Sequence, residues 1–179
     1  GCIMQLRLTR KLISAVLLSS CMAASPVFAA ETDAGLSSAE QGNYLLELKR
    51  LYLTKNDRQA LLAHCNDLLK TYALRAAYQV GQAQRQDLLY QVRQGEAGEL
   101  LLREETRGQQ GTDIAVRNQR VPLFGVDPFV RYECPTSGIS CVLRNPNDGS
   151  PLLTIVRDHQ GAAELAKALS FLIRNLQKG

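Results

Sequence analysis

The chain has few of the residues from which most enzyme sites are built. Its 179 residues include no tryptophan and two histidines, His64 and His159. The sequence contains neither His-x3-His nor Cys-x-x-Cys, so the common zinc-ligand spacings are missing. It also lacks the Gly-x-Ser-x-Gly elbow and the Gly-Lys-Ser/Thr phosphate loop. The sequence therefore predicts no cofactor, metal or catalytic residue and favours a non-catalytic protein.

Two groups of residues come closest to a catalytic arrangement. His64 precedes Cys65, but neighbouring positions on a helix point in different directions, so the two cannot act as a pair with each other. Glu104 and Glu105 are also adjacent, and on a strand they face opposite sides, so they cannot flank one bond as glycosidase carboxylates do. A small periplasmic hydrolase that uses Cys65, or carboxylates brought together by folding, remains an alternative.

The N-terminal residues have the three-part pattern of a secretory signal. A basic stretch precedes an apolar core at 12–18, and Pro26 then precedes Val27-Phe28-Ala29, with slim residues where a signal peptidase requires them. We predict a signal peptide over 1–29 with cleavage between Ala29 and Ala30, residues 1–3 being an upstream extension. A membrane-spanning anchor is the alternative, but the apolar run is short of the roughly 20 residues that a span needs.

Cys21 offers a second way to process the same segment. The stretch Leu18-Ser19-Ser20-Cys21 resembles a lipobox, at which bacterial lipoproteins are cleaved and acylated on cysteine. Cleavage after Ala29 is favoured because Pro26 and Val-Phe-Ala complete an ordinary signal-peptidase site downstream. An outer-membrane lipoprotein anchored through Cys21 is the alternative. In that form alone we expect contact with a membrane.

The positive charge of the chain comes largely from the predicted signal. Lys and Arg number 21 against 17 Asp and Glu, a net charge of +4. Three of these cations lie in the signal, which has no acidic residue, so the mature chain carries 18 against 17, a net charge of +1. A nucleic-acid partner is not expected, because the basicity belongs to the export signal. We expect a flexible leader at 30–37 and a single domain at 38–179.

The cysteines of the predicted domain suggest one disulfide and one free thiol. Cys134 and Cys141 flank Pro-Thr-Ser-Gly-Ile-Ser, a turn-rich stretch, and in an oxidising compartment they are the natural pair. Cys65 is in step with the apolar residues Leu61, Leu68 and Leu69 of a predicted helix. We interpret it as a buried thiol, with intermolecular pairing or nucleophilic reactivity as the alternatives.

The hydrophobic pattern predicts helices, then strands, then a helix. A first helix begins near 37–40, and a turn at 54–57 leads to a second helix over 58–93 with a bend near Gly81. Short apolar runs bounded by turn residues then predict strands, and a leucine stripe predicts a helix over 162–177. The strand runs are 100–106, 114–119, 129–134, 139–144 and 152–157. The predicted fold is α+β: an N-terminal helical hairpin, a small antiparallel β-meander of four to five strands, and a C-terminal helix packed on the sheet.

One apolar loop is the candidate partner-binding site. Residues 121–130 include two prolines and the aromatic residues Phe124 and Phe129. Prolines fix an extended backbone, and aromatic side chains anchor partner surfaces. The favoured interpretation is that the loop crosses the sheet and buries both rings, and exposure for a partner is the alternative. The loop closed by the disulfide, 135–140, is a second candidate for a presented surface.

These observations lead to one functional hypothesis. We expect an exported, non-catalytic protein of the bacterial envelope or the secreted fraction, periplasmic or secreted, that acts through contacts with an unidentified protein partner. The hypothesis depends on the export signal, the disulfide and the lack of a catalytic constellation in the sequence.

Overall fold

The computed structural model describes residues 38–109 and 113–179, and it has the predicted α+β class. The predicted signal peptide, its cleavage site at Ala29 and Ala30, and Cys21 lie outside the described residues. A short 3-10 turn at Ala76–Tyr78 precedes the strands. The helices and strands are α1 (Ser38–Leu51), α2 (Asp57–Thr71), β1 (Gln86–Gln94), β2 (Glu99–Gly108), β3 (Ile114–Pro122), β4 (Tyr132–Glu133), β5 (Ser140–Arg144), β6 (Pro151–Val156) and α3 (His159–Leu176).

The predicted N-terminal helical hairpin is confirmed. α1 packs against α2, and the connection between them is short. Asn56, within the predicted turn at 54–57, caps α2 by accepting a hydrogen bond from the Gln59 backbone N–H at 3.0 Å. Leu53 turns the chain between the helices with a φ of 52°, in the left-handed region.

The second helix was predicted too long. It ends at Thr71, and the segment predicted to continue it contains strand β1, which pairs antiparallel with β2 along its whole length. The hairpin turn between them ends at Gly98, whose φ of +68° disfavours a residue with a side chain. Gly81, the predicted bend, lies outside any helix.

The strands form two sheets where one meander of four to five strands was predicted. Each sheet has three antiparallel strands, in the orders β1-β2-β3 and β4-β5-β6. The linking segment, Tyr72–Leu74, joins them: the Tyr72 carbonyl accepts from Val156 of β6, and the Leu74 carbonyl accepts from Leu88 of β1, both at 2.9 Å. The two sheets therefore continue each other through one extended segment.

The C-terminal helix α3 is the centre of the core. It packs on β5, as the leucine stripe predicted, and also on α2, which was not predicted. Asp158 caps its first turn by accepting from the Gly161 N–H at 2.8 Å. Gly161 has no room for a side chain, because an added Cβ would lie 2.6 Å from the Tyr72 ring. Among the described residues, no helix is long and apolar enough to cross a membrane.

Candidate functional site

The candidate site is the loop from Leu123 to Arg131, here called the phenylalanine loop. Leu123 and Val130 are buried and anchor its two ends. The Leu123 N–H donates to the Gly98 carbonyl at 2.8 Å, which continues the pairing between β2 and β3. The Val130 N–H donates to the Ser170 hydroxyl of α3 at 3.0 Å. Both ends of the loop are thus tied to different parts of the core.

Distant side chains bond to the backbone near and within the phenylalanine loop. The Gln177 amide, one residue beyond α3, donates to the carbonyls of Leu123 and Val126 at 2.8 and 2.6 Å. The Asn147 amide donates to the Pro122 carbonyl at 2.9 Å. Because satisfied backbone groups hold a loop in one conformation, these contacts stiffen the segment.

The aromatic rings of this loop are exposed, which corrects the favoured interpretation of the sequence. Phe124 is 60% exposed and Phe129 53%, whereas we expected both rings in the core. Buried Leu123 and Val130 take the core positions that the sequence pattern assigned to the rings. One side of Phe124 packs over Gly98, where an added Cβ would lie 2.4 Å from its ring. Phe124 is therefore positioned by contact with the hairpin turn before β2 while most of its surface faces solvent.

The predicted disulfide between Cys134 and Cys141 is confirmed. It closes the loop 135–140 against β5, with Cys141 fully buried and Cys134 partly so. Arg157 holds this loop by donating from Nε to the Pro135 carbonyl at 2.8 Å and from its backbone N–H to the Ile139 carbonyl at 3.0 Å. The disulfide loop is consequently fixed to the segment that precedes α3.

Cys65 is buried in the core, as the sequence predicted. Its exposed fraction is 0%, and burial raises the pKa of its thiol. Neither histidine shares a hydrogen bond with it among the described residues, and His159 is exposed at the start of α3. A nucleophilic cysteine needs access and a lowered pKa. Cys65 has the opposite environment.

His64 is half-buried and belongs to a polar group beside the helical hairpin. Its Nδ1 lies 2.8 Å from the Tyr52 hydroxyl oxygen, and this hydroxyl donates to Asp67 at 3.2 Å. Burial and the Asp67 carboxylate raise the pKa of Tyr52 to about 12, and burial lowers the pKa of His64. The Tyr44 ring lies edge-on to His64 and stacks on Phe171, with centroids 6.3 and 4.8 Å apart. These contacts join α1, α2 and α3.

The adjacent carboxylates of β2 form separate ion pairs, as their alternation predicted. Glu105 is 8% exposed and lies 3.6 Å from Arg103 and 3.1 Å from Arg107. Glu104 pairs with Arg117 of β3 at 3.3 Å. The described residues contain no group of three His, Cys, Asp or Glu that could hold a metal ion.

An open cleft lies beside the start of α2, and three of its charged residues, Lys49, Asp57 and Arg58, already have partners. Lys49 forms an ion pair with Asp57 at 3.0 Å. Arg58 donates to the side chain and to the carbonyl of Asn175 at 2.7 and 2.9 Å. Because these contacts tie α1 to α2 and α2 to α3, the cleft reads as a structural junction between helices.

The residues that fix the phenylalanine loop were missed by reasoning from sequence. Gln177 lies 54 positions from Leu123, and Ser170 lies 40 positions from Val130. Their residue types are common on helices, so no local signal distinguishes them. Only the fold brings them to the loop.

No protein-family model, curated protein sequence or solved structure matches this chain.

Proposed function

We propose that this chain is an exported, non-catalytic protein that binds a protein partner through the phenylalanine loop. The observation that carries the proposal is the exposure of Phe124 and Phe129 on a backbone fixed by Gln177, Ser170 and Asn147. Aromatic side chains supply much of the energy of protein interfaces. A backbone that is already ordered loses little conformational entropy on binding.

Export is supported by the disulfide and by the predicted signal. Disulfides persist in oxidising compartments and are rare in the cytosol, and Cys134–Cys141 stabilises an ordinary structural loop. Two forms of the chain would lie in such an oxidising compartment. One is a periplasmic or secreted chain that begins at Ala30, and the other is an envelope chain acylated at Cys21. The intact mass of the protein from fractionated cells distinguishes them, because acylation adds lipid mass and places the chain in the membrane fraction.

The hydrolase alternative receives no support from the described residues. Cys65 has no solvent exposure, and the carboxylates of β2 are paired with arginines on opposite faces of the sheet. Turnover of a defined substrate that survives purification and disappears on one point mutation would overturn the non-catalytic proposal.

The test replaces both rings in the full-length chain. A photo-crosslinking residue at position 126, between the rings, should capture a partner in exporting cells, and the complex with that purified partner can then be measured. Phe124→Ala/Phe129→Ala should weaken binding by tenfold or more, since hot-spot aromatics contribute about 2 kcal/mol or more each. Gln177→Ala keeps the rings but frees the loop, so it should weaken binding by a smaller factor.

The matched control removes exposed apolar surface elsewhere. Leu53 and Val80 are 93% and 75% exposed and lie outside the loop, so Leu53→Ala/Val80→Ala should bind as the wild type does. Equal binding by the phenylalanine variant and the wild type would show that the loop is not the interface.

A further inference from the structure

The two outer edges of the sheet β1-β2-β3 differ in how their outward-facing backbone groups are hydrogen-bonded. On β1, the Asn66 amide bonds to both backbone groups of Val92, donating at 3.0 Å and accepting at 2.8 Å. The Gln79 amide does the same for Gln86. The linking segment accepts a hydrogen bond from the N–H of a further outward-facing residue, Leu88. Side chains and the linking segment thus bond to three of the five outward-facing residues of this edge, Gln86, Leu88 and Val92.

The β3 edge has no such cover among the described residues. Gly108 donates to the Asp113 carbonyl and Leu123 donates to the Gly98 carbonyl, so the odd-numbered residues of β3 bond to β2. The even-numbered residues point their N–H and C=O groups outward, and no described residue bonds to them. They are Ile114, Val116, Asn118 and Arg120. Pro122 ends this edge, because it has no N–H and its carbonyl is taken by Asn147.

The open edge also exposes apolar side chains. Ile114 and Val116 are 53% and 47% exposed and lie on the same face of β3. Unpaired strand edges bind other strands unless charge, proline or covering segments prevent it. Arg117 and Arg120 supply some charge, but the first half of the strand carries β-branched residues that favour pairing.

We propose that β3 pairs with β3 of a second copy of this chain, antiparallel and centred on Ala115. This register places Ile114 opposite Val116 of the second copy, so each copy covers the other's aliphatic side chains. It also places Asp113 opposite Arg117 of the second copy, and the two-fold symmetry repeats that ion pair. Like-charged residues do not face each other at the positions from 113 to 117.

Charge selects this register over its neighbours. Centring the pairing on Arg117 would place Arg117 directly opposite Arg117 of the second copy. Cross-strand side chains come closest at such a position, and like charges there are destabilising. Centring on Val116 sets Arg117 against Ala115 and leaves Asp113 without a cation. The Ala115 register alone among these three pairs Asp113 with Arg117, on the face where Glu104 already contacts Arg117 at 3.3 Å.

The test exchanges the two charges. Asp113→Arg sets arginine against arginine in a homodimer, and Arg117→Asp sets aspartate against aspartate. Each single variant should dimerise roughly tenfold more weakly than the wild type in sedimentation equilibrium, since two cross-strand pairs change sign. An equimolar mixture of the two variants should restore the dimer, because every pair across the heterodimer is then of opposite charge.

Arg120→Asp is the matched control. Arg120 lies on the same edge and also pairs with a glutamate of β2, Glu99, at 2.8 Å. It lies outside the charge pairs of the proposed register, so its variant should dimerise as the wild type does. Circular dichroism should show that all variants are folded. A monomeric wild type, single variants that dimerise normally, or a mixture that stays monomeric would overturn the proposal.

Discussion

Individual polar side chains determine how the phenylalanine loop is presented. The Ser170 hydroxyl accepts from the Val130 N–H and donates to the Ala166 carbonyl at 2.6 Å, so both of its hydrogen-bonding functions are used. Gln177 likewise donates both protons of its side-chain amide to carbonyls of the loop. Removing the Ser170 side chain leaves the buried Val130 N–H without its partner, and removing that of Gln177 does the same to the half-buried Val126 carbonyl, at a cost of about 1–3 kcal/mol each. The conformation of the loop therefore depends on residues outside it.

Cys65 should be unreactive in the native protein. Its thiol is fully buried and burial raises its pKa, so both access and thiolate formation are suppressed. In the chain that begins at Ala30, a thiol reagent such as Ellman's should label one cysteine, Cys65, and only after unfolding in denaturant. Rapid labelling of the folded protein at neutral pH would contradict the burial and reopen the hydrolase alternative. Cys65→Ala is the control, because it should show no labelling in either state.

At the scale of elements, the sequence predicted those segments whose period is clear. α3 has a continuous apolar stripe, and β2, β3, β5 and β6 are short runs between turn residues. β1 was assigned to a helix because Leu88, Leu89 and Val92 fit helical spacing. In the structure Leu88 and Leu89 are partly buried on opposite faces of one strand, so simple alternation is not visible.

The exposure of the phenyl rings lay beyond what sequence reasoning reaches. Leu123, Phe124, Phe129 and Val130 are all apolar, and a local pattern does not tell which of them face the core. That choice is made by contacts with α3 and with Gly98, which are distant in the chain. The disulfide was predictable because its partners lie seven residues apart around a turn.

The disulfide should contribute measurably to the stability of the second sheet. Cross-linking a loop of this length lowers the entropy of the unfolded chain by an amount worth about 2–3 kcal/mol. Cys134→Ala/Cys141→Ala should lose that much in the free energy of unfolding measured with urea. A reductant should lower the wild type to a similar value and leave the variant unchanged. The Cys65→Ala variant should remain sensitive to reductant, and a wild type that ignores reductant would contradict the prediction.

At the scale of the whole described domain, the helices add to the contacts by which the linking segment already connects the two sheets. α2 packs on β1 of the first sheet, and α3 packs on β5 of the second, while α2 and α3 contact each other. The polar group around His64 lies at the junction of α1 and α2, and it faces Phe171 of α3 through Tyr44. A change in the charge of His64 should therefore affect the stability of the whole domain.

The direction of that effect follows from the pKa of His64. Burial lowers this pKa from its ordinary value of 6.5, and the carboxylates of Asp67 and Glu164 oppose the shift without reversing it. Tyr44 and Tyr52, the other titratable groups in contact with the ring, have raised pKa values and stay neutral in this range. Below pH 6.5 the unfolded chain binds a proton before the folded protein does. The stability that His64 contributes is therefore fully present above pH 6.5 and is lost as the pH falls toward the lowered pKa of His64.

Urea unfolding between about pH 7.5 and pH 5 at constant ionic strength tests this prediction. The free energy of unfolding of the wild type should decrease across the range, and His64→Gln should make the decrease shallower. Asp148, whose pKa is lowered by hydrogen bonds from Ser150, loses its contribution only below its ordinary pKa of 3.8 and does not interfere. His159→Gln, at the exposed start of α3, removes the other histidine and is the matched control. If His64→Gln kept the wild-type slope and His159→Gln removed it, His64 would not be the group that links stability to pH.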